Sequence, residues 1–269
     1  MSLPLPSALS PSKVSSFKEC ALRFKFSAID HVPEPPQPHL ARGTLVHRAL
    51  ELLFCEVPAA RTLDAALGHL ATAHQEVLAD PENEGLELDD EAAFVADAEA
   101  LLRNYFELED PTAVNAIGLE LRLEADLGSL RLRGVIDRLD LDPNGDLVVV
   151  DYKTGSAGAE RYDKSRLSGV QFYAFLCEQA LGCRPARIQL LHRKEPLSIT
   201  AVPTDQSIRG LTHRTAAIWT AVERACQLDD FRPRPSRLCD FCAYRAWCPA
   251  WGGDPAAAPR PEALAPALA

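Results

Sequence analysis

Apolar residues recur at helical spacing through most of the first 110 residues. The stretches "TLVHRALELLFCEV" (44–57), "TLDAALGHLATAHQEVLAD" (62–80) and "DEAAFVADAEALLRNYFEL" (90–108) each predict a helix. A shorter helix, "KVSSFKECALRF" (13–24), is expected ahead of them with Ser12 as its cap. The proline-rich "VPEPPQPHLARG" (32–43) reads as a connector ending at Gly43, and the acidic "DPENEGLELDD" (80–90) as a solvated loop. At about Ala113 the texture changes to alternation and β-branched runs. Strands are expected over 116–128, 130–141 and 146–155, the last two joined as a hairpin through "DPNG". A helix over 165–182, strands over 186–194 and 197–203, and a long helix over 205–228 follow. Helices, then a sheet with a crossover helix, then a final helix predict an α/β fold.

The expected organisation is one domain over residues 1–250. It comprises a helical insertion (42–110), a sheet core (113–202) and a compact segment (236–250) that folds back on Cys20. The Pro/Ala-rich residues 251–269 are expected to be a disordered tail. No run of about 18 apolar residues predicts a membrane span. The N-terminus lacks a basic patch followed by an apolar stretch, which predicts a cytoplasmic location.

The net charge of −10 argues at first against nucleic acid. Its distribution weakens that objection. Residues 80–110 hold twelve acids and one base, and the rest of the chain holds 26 acids and 27 bases. Basic clusters such as "RPARIQLLHRK" and "RPRPSRLCDFCAYR" leave room for a phosphate-binding groove.

The chemistry gathers in "GVIDRLDLDPNGDLVVVDYKTG" (134–155). Residues two apart on a strand share a face, so Asp151 and Lys153 point together while Tyr152 points away. A hairpin can bring Asp137 and Asp151 onto neighbouring strands, within reach of one divalent ion. Lys153 would then stabilise developing charge or orient water. Arg138 and Asp140 are expected to hold the hairpin or an ion pair rather than bind metal. Two other readings stay open. One is a plain Lys–Asp surface pair. The other is a twelve-residue calcium loop running from Asp140 through Asp142, Asn144, Gly145 and Asp146 to Asp151, although its flanks look like strands.

The ordered set "GTLVH" (43–47), "GVIDRLD" (134–140), "DYKTG" (151–155) and a Gln/Tyr helix from Gln171 resembles the PD-(D/E)XK nucleases of the RecB and AddB type, and also the CRISPR-associated adaptation nucleases. The resemblance covers roughly residues 10 to 250. It implies a restriction-endonuclease-like core, a central mixed sheet flanked by helices. It makes His47, Asp137 and Asp151 metal ligands for Mg²⁺ or Mn²⁺, with the Tyr152 carbonyl as a further ligand. Lys153 becomes the catalytic lysine and Glu120 a supporting acid. Gln171 and Tyr173 would contact substrate or orient the lysine. The family usually spaces that Gln and Tyr four apart; here they are two apart, which favours Tyr173 as the aligned residue.

Cys239, Cys242 and Cys248 form C-x2-C-x5-C. Four thiolates suit a [4Fe–4S] cluster or a structural zinc, and the fourth ligand must come from elsewhere. Cys20 is the candidate, whereas Cys55, Cys177, Cys183 and Cys226 are expected to be small core residues. The same nuclease branch holds an iron–sulfur cluster with one early cysteine and a late C-x2-C-x5-C, so the resemblance implies a cluster that staples the two chain ends. The implied activity is hydrolysis of DNA ends or single strands in repair or recombination, with a helicase as a possible partner. A non-cleaving DNA-binding module is the alternative. No Gly-Lys-Ser/Thr phosphate loop occurs, so any ATP-driven unwinding belongs to another protein.

Overall fold

The computed structural model describes residues 2–155 and 166–259. The chain divides into two compact units. One comprises Met1–Pro35, Asp126–Arg133 and Gly210–Ala269; the other comprises Pro36–Ala125 and Gly134–Arg209.

The larger unit is built on helices α3 (Pro38–Cys55), α4 (Leu63–Ala79) and α5 (Glu91–Leu108), with α6 (Arg166–Ala180) after the first strands. Local chemistry sets the helix starts. The Thr62 hydroxyl accepts from the Ala65 amide, and the Asp90 carboxylate accepts from the Ala93 amide. The five-stranded sheet has the order β1 (Ala116–Leu127), β2 (Leu130–Leu141), β3 (Leu147–Lys153), β4 (Arg187–His192) and β5 (Leu197–Ala201). β2 pairs antiparallel with β3, β3 pairs parallel with β4 across α6, and β4 pairs antiparallel with β5. The sheet is therefore mixed, as the sequence predicts. Leu45, Leu50 and Leu53 of α3, Leu70 of α4 and Leu102 of α5 cover Val148, Val150 and Tyr152 of β3. Burial of these side chains, about 1.5–3 kcal/mol each, holds the helices on one face of the sheet.

The smaller unit contains α1 (Pro11–Glu19), α2 (Ala21–Phe24, running on as a π-turn to Ile29), α7 (Asp205–Leu228) over its length from Gly210, and the cysteine segment. The Leu9 amide donates to the Arg131 carbonyl (2.9 Å), so the N-terminal strand end runs beside the β1–β2 turn. Among the described residues no helix is long and apolar enough to cross a membrane.

Several expectations are corrected here. The expected helix over 13–24 is two helices, because Cys20 is extended (φ −160°) and separates them. Its cap is Ser10, which accepts from Lys13 (3.3 Å), not Ser12. The connector ends earlier than expected: α3 begins at Pro38, a residue whose fixed φ suits the first helical turn, so Gly43 lies inside the helix. Cys177 and Cys226 are buried as expected, but Cys55 and Cys183 are exposed. The calcium-loop alternative fails because the segment is a hairpin turn. The Asp142 carboxylate accepts the amides of Asn144 and Asp146 and pairs with Arg187, and Gly145 takes φ +83°. The start of the expected tail is ordered, with Asp254 capping a turn at Pro255–Ala257; residues 260–269 lie outside the described residues.

Arg138 is a fully buried cation toward the C-terminal end of β2, on its helix-facing side. It bonds Asp140 (2.9 Å), Glu109 (3.0 Å) and the Tyr152 hydroxyl (2.8 Å), and it lies over the Phe54 ring at 4.4 Å. Removing one partner of such a set strands the others without a counter-charge. Arg138→Ala is therefore expected to lower stability by about 3–5 kcal/mol, read as a shift in the urea midpoint, with Asp140→Asn costing less.

Candidate active site

β2 and β3 are paired from Leu141↔Leu147 to Arg138↔Val150, and one more step sets Asp137 opposite Asp151. At that point a side chain takes over a backbone bond: the Tyr152 amide donates to Asp137 Oδ2 at 2.6 Å. The ring of the same residue meets the ring of His47, which projects from α3, edge-on with centroids 5.7 Å apart. His47 Nδ1 stands 3.6 Å from Asp137 Oδ2 and 4.0 Å from Glu120 Oε1. One ligand-capable atom from each of His47, Glu120 and Asp137 lies within 4.8 Å of the other two.

Glu120 reaches this position by an unusual backbone. Its φ is +44°, a left-handed conformation that interrupts the two-residue alternation of β1. Such a conformation costs a non-glycine residue about 1–3 kcal/mol and collects at functional sites. The sequence reading gave Glu120 a supporting role, and the geometry puts it beside His47 and Asp137.

Asp151 stands apart from that group. It is buried on β3 and ion-paired with Lys153, as the two-residue strand period requires. Burial, then the Asp151 and Asp137 carboxylates, push the phenol of Tyr173 on α6 up. Gly134 of β2 makes room for this ring, since a Cβ there would come within 3.2 Å of the Tyr173 ring and 2.9 Å of Leu176. Gln171, two residues earlier on α6, lies about 200° round the helix from Tyr173, so one face cannot present both. Gly43 lies under the loop after β3, where a Cβ would meet Thr154 Oγ1 at 3.3 Å.

The electrostatics suit cation capture. Burial pushes the Asp137 and Asp151 carboxyls up, and burial together with Asp137 pushes Glu120 up to about 7. These carboxylates lack sufficient counter-charge, which a divalent ion would supply. Burial, then the Arg193 cation, holds the His47 imidazole well below its ordinary value, so it is neutral with a lone pair to offer.

Three contributors were not found from the sequence. Arg193, just past β4, is fully buried with its guanidinium 4.9 Å from the Tyr152 ring centre. Asn104 of α5 donates to the Arg193 carbonyl (2.7 Å), and Glu109 anchors Arg138. Only the run of basic residues at 184–194 hinted at the first.

In the smaller unit Cys20, Cys239, Cys242 and Cys248 all line one open cleft, together with Arg23, Arg234 and Trp251. The Arg234 amide points at Cys20 Sγ (3.5 Å) and the Ser236 amide at Cys239 Sγ (3.3 Å). Among the described residues no three of these sulfurs come within 4.8 Å of one another.

Comparison with known proteins identifies the family. The family model for the PD-(D/E)XK nuclease superfamily matches residues 8–249. No functionally curated protein is a match. A crystal structure of a candidate exonuclease from Eubacterium rectale, 14% identical, superposes with TM-score 0.57 over 88% of each chain, which shows a shared fold. The crystal structure of SSO0001 is 13% identical over 92% of this chain and 88% of that one, with TM-score 0.44. With its mixed sheet, flanking helices and matched length, the chain belongs to the PD-(D/E)XK nuclease superfamily and has its restriction-endonuclease-like fold.

Proposed function

We propose that this protein is a Mg²⁺- or Mn²⁺-dependent deoxyribonuclease that hydrolyses phosphodiester bonds at DNA ends or in single strands, in the service of repair or recombination. The observation that carries the reading is the convergence of His47, Glu120 and Asp137 within 4.8 Å, beside the Asp151–Lys153 pair. One imidazole and two carboxylates form a donor set suited to a hard divalent ion that keeps open positions for water and phosphate. Such an ion supplies Lewis acidity and lowers the pKa of water.

The remaining roles fall to the chain itself. His47 offers a neutral ring nitrogen, and Asp137 holds its carboxylate in place by accepting the Tyr152 amide. Asp151 completes the negative face while pairing with Lys153, whose side chain is half exposed and can turn its ammonium to a phosphate oxygen. The Tyr152 carbonyl, which the resemblance makes a ligand, belongs to the residue whose amide holds Asp137.

The four cysteines support a second element of the reading, a [4Fe–4S] cluster bound by Cys20, Cys239, Cys242 and Cys248. They line one cleft and two of them receive backbone amides, as thiolates in such sites do. A zinc tetrahedron with Zn–S of about 2.3 Å would hold its sulfurs about 3.8 Å apart, whereas among the described residues no three of these lie within 4.8 Å of one another. The cluster would tie residues 18–20 to the 234–248 segment, where Arg234 already bonds the Lys18 carbonyl (3.1 Å).

Two measurements test this. On end-labelled DNA with Mn²⁺, Asp151→Ala and Lys153→Ala should each lower cleavage by about 100-fold or more while DNA retention in a filter assay stays near wild type. Wild-type protein that retains DNA but cuts no substrate in either metal would favour the binding module. Anaerobically purified protein should carry about four irons and four sulfides with broad visible absorption, and Cys239→Ser should lose them. One zinc and no colour would replace the cluster with a structural zinc.

A further inference from the structure

Arg193 is the least explained charge in the larger unit. Its side chain is wholly buried, and among the described residues none of its three guanidinium nitrogens has a hydrogen-bond partner. A bare buried cation costs several kcal/mol unless nearby charge compensates it. The residue is nevertheless fixed at both ends of its peptide. Its amide donates to the Lys153 carbonyl (3.0 Å), and its carbonyl accepts from Asn104 (2.7 Å). Its guanidinium stacks on the ring of Tyr152, the residue whose amide holds Asp137. A disposable arginine would turn outward to water. This one is held inward, where the carboxylates of Asp137 and Asp151, beyond ion-pair distance, bear on its charge.

The charge balance gives this placement a purpose. Glu120, Asp137 and Asp151 bring three negative charges, against which Lys153 and Arg193 set two positive ones. One divalent ion and one phosphodiester then bring the total to zero. Without Arg193 the carboxylates would draw the ion in more strongly and repel the phosphate more strongly.

We propose that Arg193 is a positioning residue of the metal site. It is a buried counter-cation, braced on Tyr152, that limits how tightly the carboxylates hold a divalent ion and keeps the site receptive to a phosphate's negative charge. This rests on the metal-site reading above. It differs from a packing role in the sign of one effect. A packing residue, once removed, loosens the ligands and weakens metal binding. A counter-cation, once removed, strengthens it.

The test is calorimetric titration of Mn²⁺ into the full-length protein at pH 8.5, alongside turnover of end-labelled DNA at saturating Mn²⁺. Arg193→Met should bind Mn²⁺ about tenfold more tightly, the scale expected for loss of one partly screened charge near the ion. Its turnover should fall about tenfold or more. Arg193→Lys, which keeps the charge, should hold wild-type Mn²⁺ affinity. Arg193→Gln takes the place of Arg193→Met if the latter does not fold. Unchanged or weaker Mn²⁺ binding in the neutral variants overturns the proposal while leaving the metal site standing. A wild type that takes up no Mn²⁺, or whose uptake survives Asp137→Ala, overturns the metal-site reading and this proposal with it.

Discussion

Tyr152 is the point on which the candidate site depends. Its amide holds Asp137 of β2, its ring meets His47 of α3 edge-on, and the same buried ring packs against two arginines. Three elements distant in sequence are thus joined at one residue of β3. The register of the hairpin delivers Asp137 to the right place, and the apolar seat of α3 on Val148 and Val150 delivers His47. A slip of one residue in β3 would turn Tyr152 to the other face and undo both contacts.

Around this point the molecule sorts its charges by sheet face. The helix-covered face carries Arg138 with Glu109 and Asp140, a closed set whose members satisfy one another. The other face carries Asp151 with Lys153, an open pair with the ammonium reaching solvent. The closed set contributes rigidity, since each member is held by several bonds. The open pair can exchange partners, as a site that must admit a phosphate requires.

Much of the fold was legible because periodicity and turn chemistry agree along this chain. The strands over 116–153 and the "DPNG" hairpin fall where alternation and Pro-Asn-Gly place them. The errors came where one local signal has two meanings. Proline at Pro38 reads as a connector but also opens a helix, and Cys20 breaks a helix for reasons its own neighbours do not reveal. For the site, Asp137, Asp151 and Lys153 were visible as charges set against apolar strands. Arg193 was not, because its burial arises from the parallel pairing of β4 with β3, and a single basic residue at a strand end ordinarily faces water. The left-handed turn of the backbone at Glu120 was also invisible, since nothing in "GLELRLE" marks it.

That turn has a consequence for any attempt to improve the protein. A residue held at φ +44° is one where glycine or asparagine would sit more comfortably, so exchange at position 120 would relieve backbone strain. A campaign that ranks variants by melting temperature would therefore be drawn to this position and would collect hardier molecules with a damaged centre. Heat resistance and competence are set against each other there, and a library meant to preserve activity should leave that codon fixed.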